Sequence, residues 1–426
     1  MILNIPKYFE FKYLINLLIS LIPFSFIAGN LAININTILI TICSIIFFGK
    51  DFFKIKLNLI DKLLIILFIF SFFSGVINNF NFLSNNTFEN ENLFKSFVFF
   101  RYLFFYFSIK LIVEKNIFDF KIFFYSTSLA VLFVSLDLIL QLVIGKDIFG
   151  NLKTPYKLSG PFGDEQIAGS YLQRFSIFLF FSIPIFIKKK SKNFLILILS
   201  GIFVLIFFSL TITGNRMPII LFIMMFFILF ILEKKLRKFS IFFTISTLVL
   251  FLSIFYLSPQ VKDFSLHFLQ MINQMFTYFY ELFFYEKNTD IANPYLREFY
   301  SGYASWKENF FIGGGINSFY LNCIKTIIHC ANHPHNYYLE ILSEIGLIGF
   351  ILIAVIFLKI LTLSIINKNE LSLDFNQNLI IPFILLFIVE IFPIKTTGSF
   401  FTTGNASYIF FIIAIIVGLS IKSKKY

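Results

Sequence analysis

The chain has 426 residues, of which 58% are hydrophobic and 14% are charged, and its formal net charge is +12. Soluble domains carry roughly 25% charged residues, so the composition excludes an ordinary soluble domain. The positive charge could indicate nucleic-acid binding, but the lysines gather in short clusters between alternate apolar segments, as the positive-inside rule describes. We therefore expect membrane lipids, and not nucleic acid, around this chain.

Apolar runs of about 17 to 25 residues recur along the whole length, and each can cross a bilayer as a helix. The runs do not show the alternation of membrane β-strands. The sequence predicts an all-α, polytopic integral membrane protein with about twelve transmembrane helices. The predicted spans are 13–29, 31–48, 60–78, 96–114, 122–144, 167–187, 194–213, 217–232, 239–258, 336–366, 379–394 and 406–421.

The lysine clusters orient these spans, because cytoplasmic flanks carry the excess of Lys and Arg. They put both termini in the cytoplasm and five segments on the outer side: 79–95, 145–166, 214–216, 259–335 and 395–405. Only 259–335 is long enough to form a small domain. We divide the chain into helices 1–9 (residues 1–258), an outer loop domain (259–335) and helices 10–12 (336–426).

Arginine is rare in this chain, with five among 35 basic residues. Because Lys serves elsewhere as a plain positive charge, Arg on the outer side indicates a planar fork that grips phosphate or carboxylate. A structural ion pair is the alternative, with Asp137 and Glu390 as possible partners within the spans. Arg237 lies in a lysine cluster, and the other four map to the outer side or the outer part of a span: Arg101, Arg174, Arg216 and Arg297.

Three of the four histidines fall within seven positions before the tenth predicted span: His329, His333 and His335. Imidazole titrates near neutrality, so two histidines flanking Pro334 at a helix start predict a catalytic or binding role for at least one. Cys330 adds another ligand-capable side chain, but the spacing lacks the separated pairs of a closed zinc site. Cys323 shares the loop with Cys330, and we predict a disulfide between them.

The polar segments together resemble the O-antigen ligase and polymerase superfamily of bacterial envelope glycosyltransferases. The resemblance covers residues 150 to 405 and rests on 160–174, 214–216, 297–315, 333–349 and 393–399. It implies a fold of about twelve helices in the inner membrane, with one large periplasmic loop and an active site facing the periplasm.

The resemblance also implies the substrates. The donor is a glycan on undecaprenyl pyrophosphate, and the acceptor is lipid A-core in a ligase or another glycan in a polymerase. By motif position, His335 is the general base for the acceptor hydroxyl, and Arg216 and Arg297 hold the pyrophosphate. The remaining predicted substrate-binding residues are Arg174, Arg101, His333, Asn336 and Lys395.

The residue types agree with this chemistry. Attack on an anomeric carbon needs a base for the attacking hydroxyl and stabilisation of the leaving phosphate, and arginines can supply the second role without a metal or cofactor. A transporter is the alternative from a different class, but it should place its polar groups near the bilayer midplane. Here they concentrate on one face, which favours an enzyme. Ligase and polymerase both remain open.

Overall fold

The computed structural model describes residues 5–81, 89–154, 157–186, 192–232, 294–326, 330–367, 379–395 and 398–423, with isolated positions between 237 and 273. These residues are mainly helical, and the β-bridge found among them joins Lys146 to Leu152. The predicted all-α class is confirmed for this part of the chain.

The described helices are numbered in chain order. They are α1 (Ile5–Ser20), α2 (Ile22–Ala28), α3 (Asn30–Phe48), α4 (Lys50–Phe53), α5 (Leu59–Asn81), α6 (Glu89–Phe99), α7 (Arg101–Glu114), α8 (Phe120–Ile144), α9 (Ala168–Phe186), α10 (Lys192–Ile212), α11 (Arg216–Leu232), α12 (Pro294–Glu308), α13 (Phe319–Thr326), α14 (Tyr337–Asn367), α15 (Ile380–Glu390) and α16 (Thr403–Ser423).

Seven helical segments within the described residues are long and apolar enough to cross a membrane, and an eighth follows if the bent pair α1–α2 counts as one span. The pair bends by 41° near Pro23, which has no amide hydrogen to donate. The predicted count of twelve is not confirmed. Most of the predicted span 239–258, and much of the predicted loop 259–335, lie outside the described residues.

The last helix, α16, lies in the core. It packs along α3, α7, α14 and α15, and no residue from Ile409 to Val417 exposes more than 2% of its surface. A helix that is apolar on all sides is buried by its neighbours. Gly418 permits the close approach of α7, because a Cβ there would lie 2.9 Å from the Val113 Cβ.

Segments predicted for the outer side meet at one end of the bundle. The Asn78 amide donates to the Gly313 carbonyl at 2.8 Å, and the Asn336 amide donates to the Pro393 carbonyl at 2.7 Å. We call this region the polar end and define it as residues 166–174, 213–216, 297–315, 330–337, 390–395 and 398–405. It contains most of the predicted site residues.

Candidate functional site

Helix α14 follows residues 333–336, which we call the histidine segment. The helix is broken at Gly346, which has φ +67° and ψ −173°. The break frees backbone groups that a continuous helix would pair internally. The loop 310–315 pairs with them through four hydrogen bonds of 2.8 to 3.1 Å. Donor first, these are Gly314 to Ser343, Gly315 to Glu344, Leu347 to Phe310 and Ile348 to Phe311. The loop and the break therefore form one backbone-paired unit.

Glycines allow this unit to form. A Cβ at Gly346 would lie 2.3 Å from the Phe311 carbonyl oxygen, and one at Gly313 would lie 2.3 Å from the Glu344 carbonyl carbon. Both glycines also have positive φ, which other residues adopt only with strain. The glycines of the loop therefore allow a close backbone approach to α14, the helix that follows the histidines.

His335 lies two residues before the start of α14 and has φ +49°, a left-handed conformation that is uncommon outside glycine. Asn336 caps the helix, because its Oδ1 accepts from the amides of Tyr338 and Leu339 at 3.0 and 3.2 Å. The same side chain donates to Pro393. With Asn336 as the cap, the His335 side chain is not needed for capping, and it is 38% exposed.

Glu298 on α12 faces His335. Its Oε1 lies 3.7 Å from His335 Nε2, within reach of an ion pair when the imidazole is protonated. Burial raises the pKa of the Glu298 carboxyl to about 7, although the neighbouring Arg297 guanidinium acts in the opposite direction. The Glu298 carboxyl therefore titrates close to neutrality.

His333 packs beside His335, with ring centroids 4.2 Å apart. Burial, and the charge that His335 can carry, lower the pKa of the His333 imidazole to about 4. Its Nε2 is buried without a hydrogen-bond partner among the described residues. At neutral pH His333 is therefore uncharged, and it does not place a second cation beside His335.

Arg174 lies in a buried ionic cluster with Glu390. The sequence analysis named two possible partners for an ion pair, Glu390 and Asp137. Arg174 Nη2 and Nε donate to the two Glu390 carboxylate oxygens at 2.6 and 3.3 Å. Asp137 instead accepts from the Ile148 amide at 2.8 Å. The structural ion pair is therefore real, and any binding of phosphate by Arg174 takes place beside an existing carboxylate.

Lys395 belongs to the same cluster, with its Nζ 2.7 Å from Glu390 Oε2. Burial lowers the pKa of the Lys395 ammonium to about 8, against the opposing effect of the Glu390 carboxylate. Two cations thus share one carboxylate. This arrangement leaves an excess positive charge in a buried position, which suits an incoming anion.

Tyr337 connects the cluster to the histidine segment. Its hydroxyl donates to Glu390 Oε1 at 2.7 Å and accepts from Arg174 Nη2 at 3.3 Å. Since Tyr337 is two positions after His335, the backbone of the histidine segment leads directly to the ionic cluster.

Arg101 reaches the first turn of α16. Its Nη2 donates to Tyr102 Oη at 2.6 Å and to Thr403 Oγ1 at 3.3 Å. Two residues further along α16, Asn405 accepts from Arg174 Nη2 at 2.6 Å. Arg101 and Arg174 therefore converge on one helix N-terminus, a position where backbone amides also favour anions.

Arg216 and Arg297 both lie at the polar end and are half-buried. Arg216 begins α11, after a turn whose Asn215 amide donates to the Gln166 carbonyl at 3.0 Å. This contact brings Arg216 to the start of α9, the helix that carries Arg174. Arg297 is next to Glu298 on α12. The structure thus gathers the predicted residues at one end, and their binding roles stay predictions.

The predicted disulfide is present, joining Cys323 and Cys330 with a Cα–Cα distance of 5.9 Å. Cys330 is therefore no longer available as a thiolate, which removes one of the four side chains considered for a metal. His329, another of the four, lies outside the described residues.

An apolar groove of about 480 Å³ is lined by α2, α8 and the segment between α8 and α9. Phe26 lies on α2 among the lining residues of that helix, and its ring is 5.3 Å from that of Phe175 and 6.2 Å from that of Tyr408. Tyr408 in turn lies 4.7 Å from the Arg174 guanidinium carbon. The lining is suited to hydrocarbon and comprises Phe24, Ile27, Ala28, Phe133, Phe149 and Pro161.

The sequence analysis did not identify two side chains that contact predicted site residues. These are Glu298, which faces His335, and Asn405, which accepts from Arg174. Asn405 is an ordinary polar residue at a helix start, and nothing in the sequence singles it out. Glu298 directly follows Arg297 and lies one helical turn before Gly302, which is a weak signal of a face that packs closely.

Comparison with known protein families supports the resemblance. Residues 201–354 match the family model described as O-antigen ligase. The matched stretch contains the Arg216 turn, α12, the loop 310–315, the histidine segment and the broken part of α14. This confirms that the chain resembles the O-antigen ligase and polymerase superfamily. No curated protein matches the chain.

Proposed function

We propose that this protein is a membrane glycosyltransferase of the O-antigen ligase type. It moves a glycan from undecaprenyl pyrophosphate to lipid A-core at the periplasmic face of the bacterial inner membrane. The observation that carries the proposal is the match of residues 201–354, because this stretch includes both His335 and Arg216. His335 lies two residues before Tyr337, which contacts the buried ionic cluster, and this position supports the proposal.

In the proposed reaction, His335 takes the proton of an acceptor hydroxyl. The hydroxyl oxygen then forms a bond to the anomeric carbon of the donor sugar, and the bond from that carbon to the pyrophosphate oxygen breaks. The proton stays on the imidazole, and undecaprenyl pyrophosphate leaves as an anion. Removal of a general base typically lowers the rate by about 100- to 10,000-fold.

The arginines stabilise the leaving group in this scheme. Arg216 is assigned to catalysis, and Arg297, Arg174 and Arg101 to donor binding, with Lys395 as a further cation. His333 and Asn336 hold His335 in place, Asn336 through its cap of α14. The groove between α2 and α8 supports a hydrocarbon-linked donor, since its lining is apolar.

The envelope glycan profile of a deletion strain tests the activity. We expect all glycan attached to lipid A-core to disappear and to return with the wild-type protein. A single attached repeat unit would instead indicate a polymerase of the same superfamily, and an unchanged profile would contradict both.

The role of His335 is best tested with His335→Asn. The position has φ +49°, and Asn tolerates this conformation better than most residues. The variant therefore keeps the backbone and removes the base. We expect transfer by purified protein to fall by about 100-fold or more, as for His335→Ala, and expect a smaller loss for His333→Ala. Wild-type transfer by His335→Asn would leave stabilisation by the arginines as the main catalytic effect.

A further inference from the structure

We infer that Glu298 is a positioning residue for His335, orienting its imidazole and stabilising the imidazolium that forms during transfer. The effect of Glu298 on catalysis rests on the proposed function, whereas the contact between Glu298 and His335 does not depend on it. The inference assigns a role to a carboxylate that has no role in the proposed reaction and is not part of the ionic cluster.

Close helix packing brings Glu298 to the histidine segment. Gly302, one turn further along α12, faces Pro334 and Leu339, and a Cβ at Gly302 would lie 3.0 Å from the Cβ atom of each. Residues i and i+4 share one face of a helix, so Glu298 lies on the face of α12 that docks on this segment. Its position 3.7 Å from His335 is therefore set by packing of two elements.

The surroundings of Glu298 favour this role. His335 faces it from the loop, with His333 packed against His335, and Arg297 is next to it on α12. The carboxylates of the α14 helix packed against α12 are engaged elsewhere: Glu340 accepts from the Phe400 amide, and Glu344 accepts from the amides of Asn317 and Phe319. Glu298 is therefore the carboxylate seen at the imidazole within the described residues.

The acidity of the Glu298 carboxyl also suits this role. The Glu298 carboxyl has a pKa of about 7, close to the ordinary range of histidine, because burial disfavours its charge. When His335 takes the acceptor proton, a positive charge appears 3.7 Å from this carboxylate. The resulting ion pair offsets the cost of the carboxylate charge, so the proton is held where the reaction needs it. A carboxylate that orients a catalytic histidine serves the same purpose in other enzymes.

The first test is the pH dependence of transfer by purified protein. A base works in its neutral form, so the rate falls as pH drops through the pKa of His335. Removing the carboxylate in Glu298→Gln should lower that pKa and move the acid limb down by about 0.5 to 1 pH unit. The maximal kcat should fall about 10- to 100-fold, no more than the loss expected for the base itself.

Glu308→Gln is the matched control. Glu308 is an exposed carboxylate at the other end of α12, so its substitution removes the same charge from the same helix. We expect its kcat and acid limb to equal those of the wild type. Glu298→Asp, which keeps the carboxylate on a shorter side chain, should recover part of the loss and the wild-type acid limb. An intact Cys323–Cys330 disulfide in each variant checks the fold.

A second test does not depend on activity. Diethyl pyrocarbonate modifies neutral imidazole, and mass spectrometry with fragment ions can locate the modification on His335. The midpoint of its pH profile should be lower in Glu298→Gln than in the wild type and in Glu308→Gln. If this midpoint shifts but wild-type protein transfers no glycan, the pair stands and the proposed function fails. If transfer is present and neither the midpoint nor the acid limb shifts in Glu298→Gln, the positioning role is wrong.

Discussion

Arg216 shows how residue type can be tested separately from charge. Lys keeps the positive charge but loses the planar fork that grips two phosphate oxygens. We therefore expect Arg216→Lys to lower donor transfer by about tenfold or more, since each 1.4 kcal/mol lost from the transition state is a factor of ten. Arg237→Lys is the control, because Arg237 is exposed and lies in a lysine cluster. Full activity in Arg216→Lys would show that a point charge is enough.

The sequence points to residues that are chemically rare in this chain, and the structure adds their partners. His335 stands out because a Phe-, Ile- and Leu-rich chain has few titratable groups, and Arg174 stands out among lysines. The partner of Arg174 was narrowed to Glu390 or Asp137, and only packing selects Glu390. Glu298 could not be chosen in advance, because its role depends on how α12 docks through Gly302.

At the scale of elements, the break in α14 depends on Gly346. Ala at this position would meet the Phe311 carbonyl oxygen at 2.3 Å and would have to adopt a φ of +67°. Strain of this kind costs about 1 to 3 kcal/mol, and overpacking adds a similar amount. We expect Gly346→Ala to lower the thermal unfolding temperature in detergent and to reduce transfer, because the loop 310–315 can no longer pair with α14.

Gly201→Ala provides the control for this prediction. Gly201 lies inside α10, and a Cβ there would have no heavy atom within 4 Å. Ala is a better helix former than Gly by about 1 kcal/mol, so this variant should be as stable as the wild type or more stable. Equal stability of the two variants would contradict the close contact at Gly346.

The ionic cluster connects α9, α14, α15 and α16. Its charges predict that substitutions of Glu390 and of Lys395 lower the stability of the protein by different amounts. Glu390→Gln leaves Arg174 and Lys395 buried without their carboxylate, and breaking a buried ion pair costs about 3 to 5 kcal/mol. Lys395→Met leaves the Arg174–Glu390 pair intact and should cost much less. Thermal unfolding of both variants measures the difference.

The two variants also separate stability from binding. If Lys395 contacts the donor, Lys395→Met should raise the KM for donor while the protein stays folded. An unchanged KM would assign Lys395 to the fold alone. A Glu390→Gln protein as stable as the wild type would show that the cluster is not held together by its charges.

The apolar runs predicted where the helices lie, but they did not predict the length of every helix. The predicted span 379–394 contains α15, which has only 11 residues. At 1.5 Å per residue it rises roughly 17 Å, about half of a bilayer core. Residues 391–394 continue the apolar pattern in sequence, yet the helix ends at Glu390. Lys395 folds back to pair with Glu390. Hydrophobicity alone cannot reveal this, since the cause is tertiary.

At the scale of the whole molecule, helices α5 and α9 each have one end at the polar end and the other end next to a lysine cluster in sequence. Helix α5 begins at Leu59 beside the first cluster, and its other end donates from Asn78 to Gly313. Helix α9 begins beside Arg216 and ends at Phe186, just before the lysines at 188–192. The charge rule then predicts the orientation: we expect the lysine ends to face the cytoplasm and the polar end to face the periplasm.

Reporter fusions test this orientation directly. Alkaline phosphatase is active only after export, so we expect activity when it is fused after Asn288, in the predicted periplasmic loop outside the described residues. A fusion after Lys425 should lack phosphatase activity, and a fluorescent protein at the same place should fluoresce, because the final lysines favour the cytoplasm. The reverse pattern would put His335 and the arginines on the cytoplasmic face. An acceptor displayed in the periplasm could not then reach the base, and the proposed transfer to lipid A-core would fail together with the orientation.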